Sequence, residues 1–257
     1  MTRTFLFSIA AVLLPLAAAA QPCPGNPNAL GTDRVLAVDV RTTPRVGRKH
    51  FPATLPLKRK EVVLTFDDGP EPATTPKVLD ALKRECVRAT FFLLGRNTAA
   101  SPALARRILA EGHTVGHHTY SHRLLSNQAM PAAEAEINRG IEEDDYALYG
   151  QRRSQPATPF FRFPGFASSR RLLDLMAKRG IVVFGADVWA SDWNPMSPTE
   201  ELRLIMGRIM ASGGGIVLFH DTKAQTAAML PGFLRELKQR GFHIVHAVPA
   251  GGRGILR

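Results

Sequence analysis

From about residue 60 onward the chain alternates between two kinds of segment with almost no slack between them. Short apolar runs, "EVVLTF", "ATFFLLG", "HTVGH", "FFRF", "IVVFGADV", "GIVLFH" and "FHIVHAV", have the length and the β-branched and aromatic content of buried strands. Amphipathic stretches separate most of them. "TTPKVLDALKREC" has Thr75 as its expected N-cap, Pro76 at the first helical position and Val78, Leu79 and Leu82 on one face. "SPALARRILAEG" repeats that design with Ser101, Pro102 and a stop at Gly112. Further helices are expected from about Pro131 to Tyr149, in "SRRLLDLMAKRG", in "SPTEELRLIMGRIMASGGG" with Ser197 and Glu200 spaced as a capping box, and in "AAMLPGFLRELKQRG".

Strands that alternate with helices through short connections must run parallel, because each crossover helix returns the chain to the same end of the sheet. An open doubly wound sheet and a closed barrel both satisfy that rule. The first strand is not followed by G-x-G-x-x-G, which weighs against a nucleotide-binding open sheet. No linker or repeat interrupts residues 55–250, and 257 residues suit one large α/β domain. "RVLAVDV", near residue 34, can add one more strand. In a barrel, reactive groups collect at the carboxyl ends of strands.

The first 20 residues stand outside this pattern. "MTRTFLFSIAAVLLPLAAAA" has Arg3, an apolar stretch from Phe5 to about Ala17, and Ala18 and Ala20 before Gln21, as a cleaved export signal has. Pro15 and the short apolar run argue against a membrane anchor. The expected organisation is a signal peptide over 1–20, an N-terminal arm over 21–58 and one domain over 59–257. The formal charge is +11, yet the basic residues are spread along the chain and match no nucleic-acid-binding module. An anionic envelope polymer and an ordinary solvated surface are both compatible with it. Cys23 and Cys86 are the two cysteines. In an oxidising compartment they are expected to pair, stapling the Pro/Gly/Asn-rich arm to the end of the first helix.

Chemistry-bearing residues fall at the strand ends. "EVVLTF" runs into Asp67 and Asp68, two adjacent acids before the turn at Gly69-Pro70. "HTVGHHTYSH" holds His113, His117, His118 and His122. On an extended strand a four-residue spacing separates side chains by roughly 13 Å, whereas one helical turn brings their Cβ atoms to about 5–6 Å. Since residues 113–117 read as strand, His118 and His122, just beyond it, are the pair expected to share an ion. Two imidazoles with one carboxylate leave open positions for water and suit zinc, with cobalt, nickel and manganese also compatible. Arg162 follows "FF", where an unpaired charge would be costly. "GADVWASDW" offers Asp187 and Asp192 beside Trp189 and Trp193, and "IVLFH" delivers His220. Singly, these are salt-bridge, cap or core residues; together they place an acid, a base, a cation and a metal site on one rim.

In order, "TFDDGP", "HTYSH", "RFP", "DW" and "LFH" resemble the five signature motifs of the polysaccharide deacetylase family (carbohydrate esterase family four, the NodB-homology domain), over roughly residues 60–248. The resemblance implies a distorted (β/α)7-type barrel that removes acetyl groups from an N-acetylated glycan or from acetylated xylan. It implies Asp67 as general base, and Asp68, His118 and His122 as metal ligands. Arg162 would orient the base, His220 would be the general acid, and a backbone N–H of Gly165 or Phe166 would hold the oxyanion. Gly165 stands where the family usually has Tyr. Trp189 stands four residues before Trp193, where an Asp is usual, so Asp187 and Asp192 are both candidates to support His220. Trp189 and Trp193 are either core aromatics or a wall for substrate. The expected partner is an N-acetylated polysaccharide (peptidoglycan, chitin-type or poly-N-acetylglucosamine). The rivals are an O-acetyl esterase and a catalytically silent wall-binding protein. The specific glycan and the oligomeric state are not legible in the sequence.

Overall fold

The computed structural model of the protein describes residues 23–153 and 155–251; the expected signal segment lies outside them. Seven parallel strands form the ring that the alternation leads one to expect. In space they run β3 (Glu61–Asp67), β4 (Thr90–Leu93), β5 (Thr114–His117), β6 (Phe160–Phe161) and β7 (Val182–Phe184), with β8 (Val188–Trp189) and β9 (Gly215–His220) completing the circuit to β3. The β3–β9 ladder is the longest in the ring, from Val62 opposite Gly215 to Asp67 opposite His220. That register brings the last residues of both strands to one level. The fold is therefore a distorted (β/α)7-type barrel, with all its strand ends on one rim.

Helices α1 (Thr75–Arg84), α3 (Pro102–Ala110), α6 (Pro198–Ser212) and α7 (Ala224–Gln239) cover the outside, and α4 (Met130–Tyr149) and α5 (Arg170–Lys178) close the flank beside β5–β7. The capping box at Ser197 and Glu200 forms as expected. Thr75, however, is the first helical residue of α1 and Thr74 its cap. One helix escaped the sequence reading, α2 (Gly95–Ala100), because "GRNTAA" is short and has no apolar face.

Strand periodicity divides the core. Val62, Leu64 and Phe66 of β3 pack under the helices, while Val63 faces inward with Phe92, Phe160 and Ile216. Thr65 and Asp67 share the inward parity of Val63.

The run "IVVFGADV" is two strands, not one. It breaks at Gly185–Asp187, and β7 and β8 are not paired to each other. The N-terminal arm enters that gap. Its β1 (Arg34–Val38) pairs with β10 (His243–Pro249), and its β2 (Arg45–Val46) pairs with β7. Val46 and Leu55 are buried in the barrel core. Gly47 lies so close to the break that a Cβ there would collide with the backbone of Gly185 and Ala186. Cys23 and Cys86 form the expected disulfide, with a Cα–Cα distance of 5.6 Å. The arm is thus a structural part of the barrel and is held by far more than a staple. No helix among the described residues is long and apolar enough to cross a membrane.

Candidate active site

A cleft of about 540 Å³ opens at the carboxyl rim, lined among others by Asp67, Asp68, His118, His122 and His220. The two neighbouring acids reach it by different routes. Asp67 ends β3 pointing inward and is buried. Asp68 would face the helices by strand parity, but its left-handed backbone (φ 76°) turns its carboxylate back into the cleft. The next residue, Gly69, must be glycine because a Cβ would overlap the carboxylate of Asp221. That buried acid, pushed up to about 7 chiefly by its burial, accepts a 2.5 Å hydrogen bond from Thr75.

His118 and His122 do come together, with ring centroids 5.2 Å apart, but not on a helical turn. Left-handed residues at Thr119 (φ 70°) and His122 (φ 65°) fold the segment back on itself. Backbone in such sparsely populated regions is concentrated at functional sites. The Nδ1–H of His118 donates to the carbonyl of Arg162 at 2.7 Å, which leaves Nε2 as a lone pair facing the cleft. That Nε2 lies 3.5 Å from Asp68 Oδ1, and His122 Nε2 lies 3.4 Å from the same oxygen. Asp68 Oδ1 is buried and has no hydrogen-bond partner among the described residues. A carboxylate oxygen left without a donor inside a protein is costly. One oxygen and two imidazole nitrogens converging on a point suit a divalent cation with open coordination positions, so the residues present fit a metal. His113 and His117 are occupied elsewhere: His113 accepts from the Ala89 N–H, and His117 is buried against Asp144 at 2.8 Å.

Arg162 is fully buried beneath the rim, with its charge compensated on every side. It donates to Asp67 Oδ1 at 2.7 Å, Thr65 Oγ1 at 2.9 Å and the carbonyl of Gly185 at 2.8 Å, and its guanidinium lies 4.4 Å over the Phe92 ring. These bonds hold Asp67 in a single orientation. Burial raises the Asp67 carboxyl above its ordinary value, against the opposing pull of Arg162. A raised carboxylate is a better proton acceptor near neutral pH.

The structure separates the two acids left open by the sequence. Asp192 supports His220: its Oδ1 lies 2.8 Å from His220 Nδ1, and its Oδ2 accepts the His220 backbone N–H at 2.6 Å. Burial alone would lower the His220 pKa, but the bond to Asp192 and its charge outweigh burial and raise it to about 9. Asp187 does not touch His220. It accepts from Arg48 N–H, Thr54 Oγ1–H and Ile216 N–H, at 2.8, 2.6 and 2.8 Å, and so clamps the arm into the barrel gap. Sequence proximity misled here because the break before β8 aims Asp187 at the arm.

Two further residues behind Asp192 carried no sequence signal. Thr226 Oγ1 lies 3.0 Å from Asp192 Oδ2 and 2.9 Å from Glu201 Oε1. One hydroxyl proton cannot fully serve two carboxylates, so the pair is better satisfied when one of the acids carries a proton. Burial, and then the charge of Asp192, push Glu201 up to about 7, so it takes up a proton far more readily than an ordinary carboxylate. Gly165 and Phe166 also line the cleft, and the Phe166 N–H is committed to the Phe163 carbonyl at 2.9 Å. Leu124 lies against Gly165. Trp189 and Trp193 both line the cleft rather than the core, 6.0 Å apart, and Trp193 stands 6.0 Å from His220. His50, which also lines the cleft, comes from the arm and was not a candidate from sequence.

The polysaccharide deacetylase family profile matches residues 54–184. A peptidoglycan-N-acetylglucosamine deacetylase of Listeria monocytogenes is 32% identical over 207 residues, 78% of this chain and 42% of that protein. The chain thus spans less than half the length of that relative. A chitooligosaccharide deacetylase of Bradyrhizobium is 34% identical over 209 residues, covering 74% of this chain and 90% of that protein. Among solved structures, a peptidoglycan deacetylase of Bdellovibrio bacteriovorus superposes with a TM-score of 0.76 at 28% identity, covering 94% of this chain and 67% of the other.

Proposed function

The chain belongs to the polysaccharide deacetylase family, and from that premise we propose that it is a metal-dependent hydrolase of the N-acetyl amide of an N-acetylated glycan. The observation that carries this reading is the orphaned Asp68 Oδ1 facing two imidazole nitrogens, with Asp67 and His220 in the same cleft. Asp68, His118 and His122 would hold the ion, zinc by preference from two nitrogens and one oxygen, with cobalt, nickel or manganese as substitutes. When bound, such a cation acidifies water and polarises an acyl oxygen.

The remaining work falls to the chain's own side chains. Asp67, fixed by Arg162, takes the proton of the attacking water. The Gly165 N–H donates to the acyl oxygen as it becomes negative. His220, protonated up to about pH 9, gives its proton to the sugar nitrogen, which cannot depart as an amide anion. An ester with a good leaving group has no such need, so an internal acid that stays protonated at neutral pH suits the amide reading. The names of the Listeria and Bradyrhizobium relatives, both N-acetylglucosamine or chitooligosaccharide deacetylases, support the same choice. The +11 charge suits an anionic wall polymer such as peptidoglycan. The disulfide and the export-like first 20 residues support a location outside the cytoplasm.

Acetate release from peptidoglycan, chitooligosaccharides, poly-N-acetylglucosamine and acetylxylan tests it, before and after chelation and zinc repletion. Release from an N-acetylated glycan that chelation abolishes and zinc restores is the expected result. Release from acetylxylan alone would make the protein an esterase, and release from none by the metal-loaded protein would leave it a binding module.

A further inference from the structure

The arm enters the barrel beside the reacting groups and contributes a ring to their cleft. The chain turns tightly at Gly47, where the His50 and Phe51 N–H groups both donate to the Gly47 carbonyl at 3.0 and 2.9 Å. The Lys49 N–H is anchored on the Ala186 carbonyl at 3.0 Å, and Asp187 clamps the segment from both ends through Arg48 and Thr54. This scaffold lays the His50 imidazole on the Phe166 ring, with centroids 3.8 Å apart and planes inclined by 21°. His50 is in turn 6.1 Å from Trp189, itself 6.0 Å from Trp193, which stands 6.0 Å from His220. The five rings form one continuous wall from Phe166 to the acid, and the arm supplies the segment of it that lies over the barrel gap. Lys49 holds Trp189 in place, with its ammonium 4.9 Å from the ring centroid.

We infer that the N-terminal arm is part of the substrate-binding surface, and that His50 is a substrate-positioning residue that receives the apolar face of a pyranose ring of the glycan beside Phe166 and Trp189. Aromatic and imidazole planes suit the C–H face of a sugar, and the ring nitrogens remain able to bond a hydroxyl. Burial, and then the charges of Arg162 and Lys49, lower the His50 pKa, so the ring is neutral at pH 7 and does not repel a cationic deacetylated product. Residues 44–53 precede the matched family segment, so the part of the wall that His50 supplies comes from the chain's own arm. The inference rests on the deacetylase reading for the identity of the glycan.

The test uses the full metal-loaded chain with His50→Ala and His50→Phe. Three readouts are compared: chitotetraose deacetylation, chitotetraose binding by calorimetry, and hydrolysis of 4-nitrophenyl acetate, which is too small to span the wall. For His50→Ala, Kd and KM for chitotetraose should rise about 10-fold, the loss of one aromatic contact and one hydrogen bond, while turnover of the small ester changes less than 3-fold. His50→Phe, which restores the ring but not the nitrogens, should recover part of the loss. Unchanged binding in His50→Ala would overturn the proposal. So would an equal fall on tetraose and small ester, because His50 would then only support the fold. If the wild type binds tetraose but releases acetate neither from it nor from peptidoglycan or poly-N-acetylglucosamine, the deacetylase reading fails, yet the calorimetric comparison still decides the role of His50.

Discussion

Replacing Asp192 by Asn isolates the group that sets the acidity of His220. The variant keeps the size of the side chain but removes the negative charge 2.8 Å from Nδ1. Free histidine titrates near 6.5, and His220 is raised to about 9 despite burial that pulls it down. A hydrogen bond to a charged group contributes about 1.5–3 kcal/mol, or one to two pH units at about 1.36 kcal/mol each. The variant's His220 should then titrate between about 7 and 8. A catalytic acid works only while protonated, so activity is lost as the pH rises through its pKa. With a variant pKa of about 7.5, both proteins are almost fully protonated at pH 6, whereas at pH 9 about half of the wild type and about 3% of the variant are. The penalty of the substitution should therefore be about 15-fold larger at pH 9 than at pH 6. The assay is acetate release from chitotetraose from pH 6 to 10.5, with metal content and circular dichroism confirming an intact protein. The same shift has a stability consequence. Protonated His220 stabilises the fold fully below about pH 6.5, and this contribution disappears as the pH rises through about 9. An alkaline limb that stays near pH 9 in Asp192→Asn would refute the assignment of the pair.

The adjacent acids should separate by metal content. Asp68→Asn weakens metal binding and is partly rescued by excess zinc, whereas Asp67→Asn keeps its metal, loses about 10²-fold or more in kcat and is not rescued; elemental analysis with rates at several zinc concentrations checks both. His118→Ala, which removes the Nε2 of the imidazole that the Arg162 carbonyl orients through Nδ1, should lose most bound metal in the same measurement. Reducing the Cys23–Cys86 bond, or replacing both residues by Ser, opens a link between residues 63 apart and should cost about 4 kcal/mol of stability in denaturant unfolding. Asp187→Ala leaves the Arg48 and Ile216 N–H groups without their acceptor; trypsin should then cut at Arg45, Arg48 or Lys49 in the native protein, and chitotetraose binding should weaken with it.

The local code carried most of the elements and most of the candidate site residues. Each apolar run between helical stretches, except "IVVFGADV", which split into two, became a strand, because burial on both faces of a parallel sheet needs unbroken hydrophobic sequence, and "EVVLTF" and "GIVLFH" carry it. Asp67, Asp68, His118, Arg162 and His220 were legible for the same reason: a parallel barrel brings every strand end to one rim, so position in the strand stands in for position in space. Long-range geometry decided the rest. Asp187 and Asp192 are five residues apart and chemically identical, and only the break between β7 and β8 sends one to the arm and the other to His220. Thr226 and Glu201 sit on helices α7 and α6, in ordinary amphipathic sequence, and meet Asp192 only through packing. His50 lies in "GRKHFP", a turn with no periodicity, where nothing local distinguishes a cleft residue from a solvated one. Its place against Phe166 follows from a gap in a barrel that closes more than 130 residues later, with the formation of the β8–β9 and β3–β9 ladders. A contact of that kind is a property of ring closure, which no window of sequence contains.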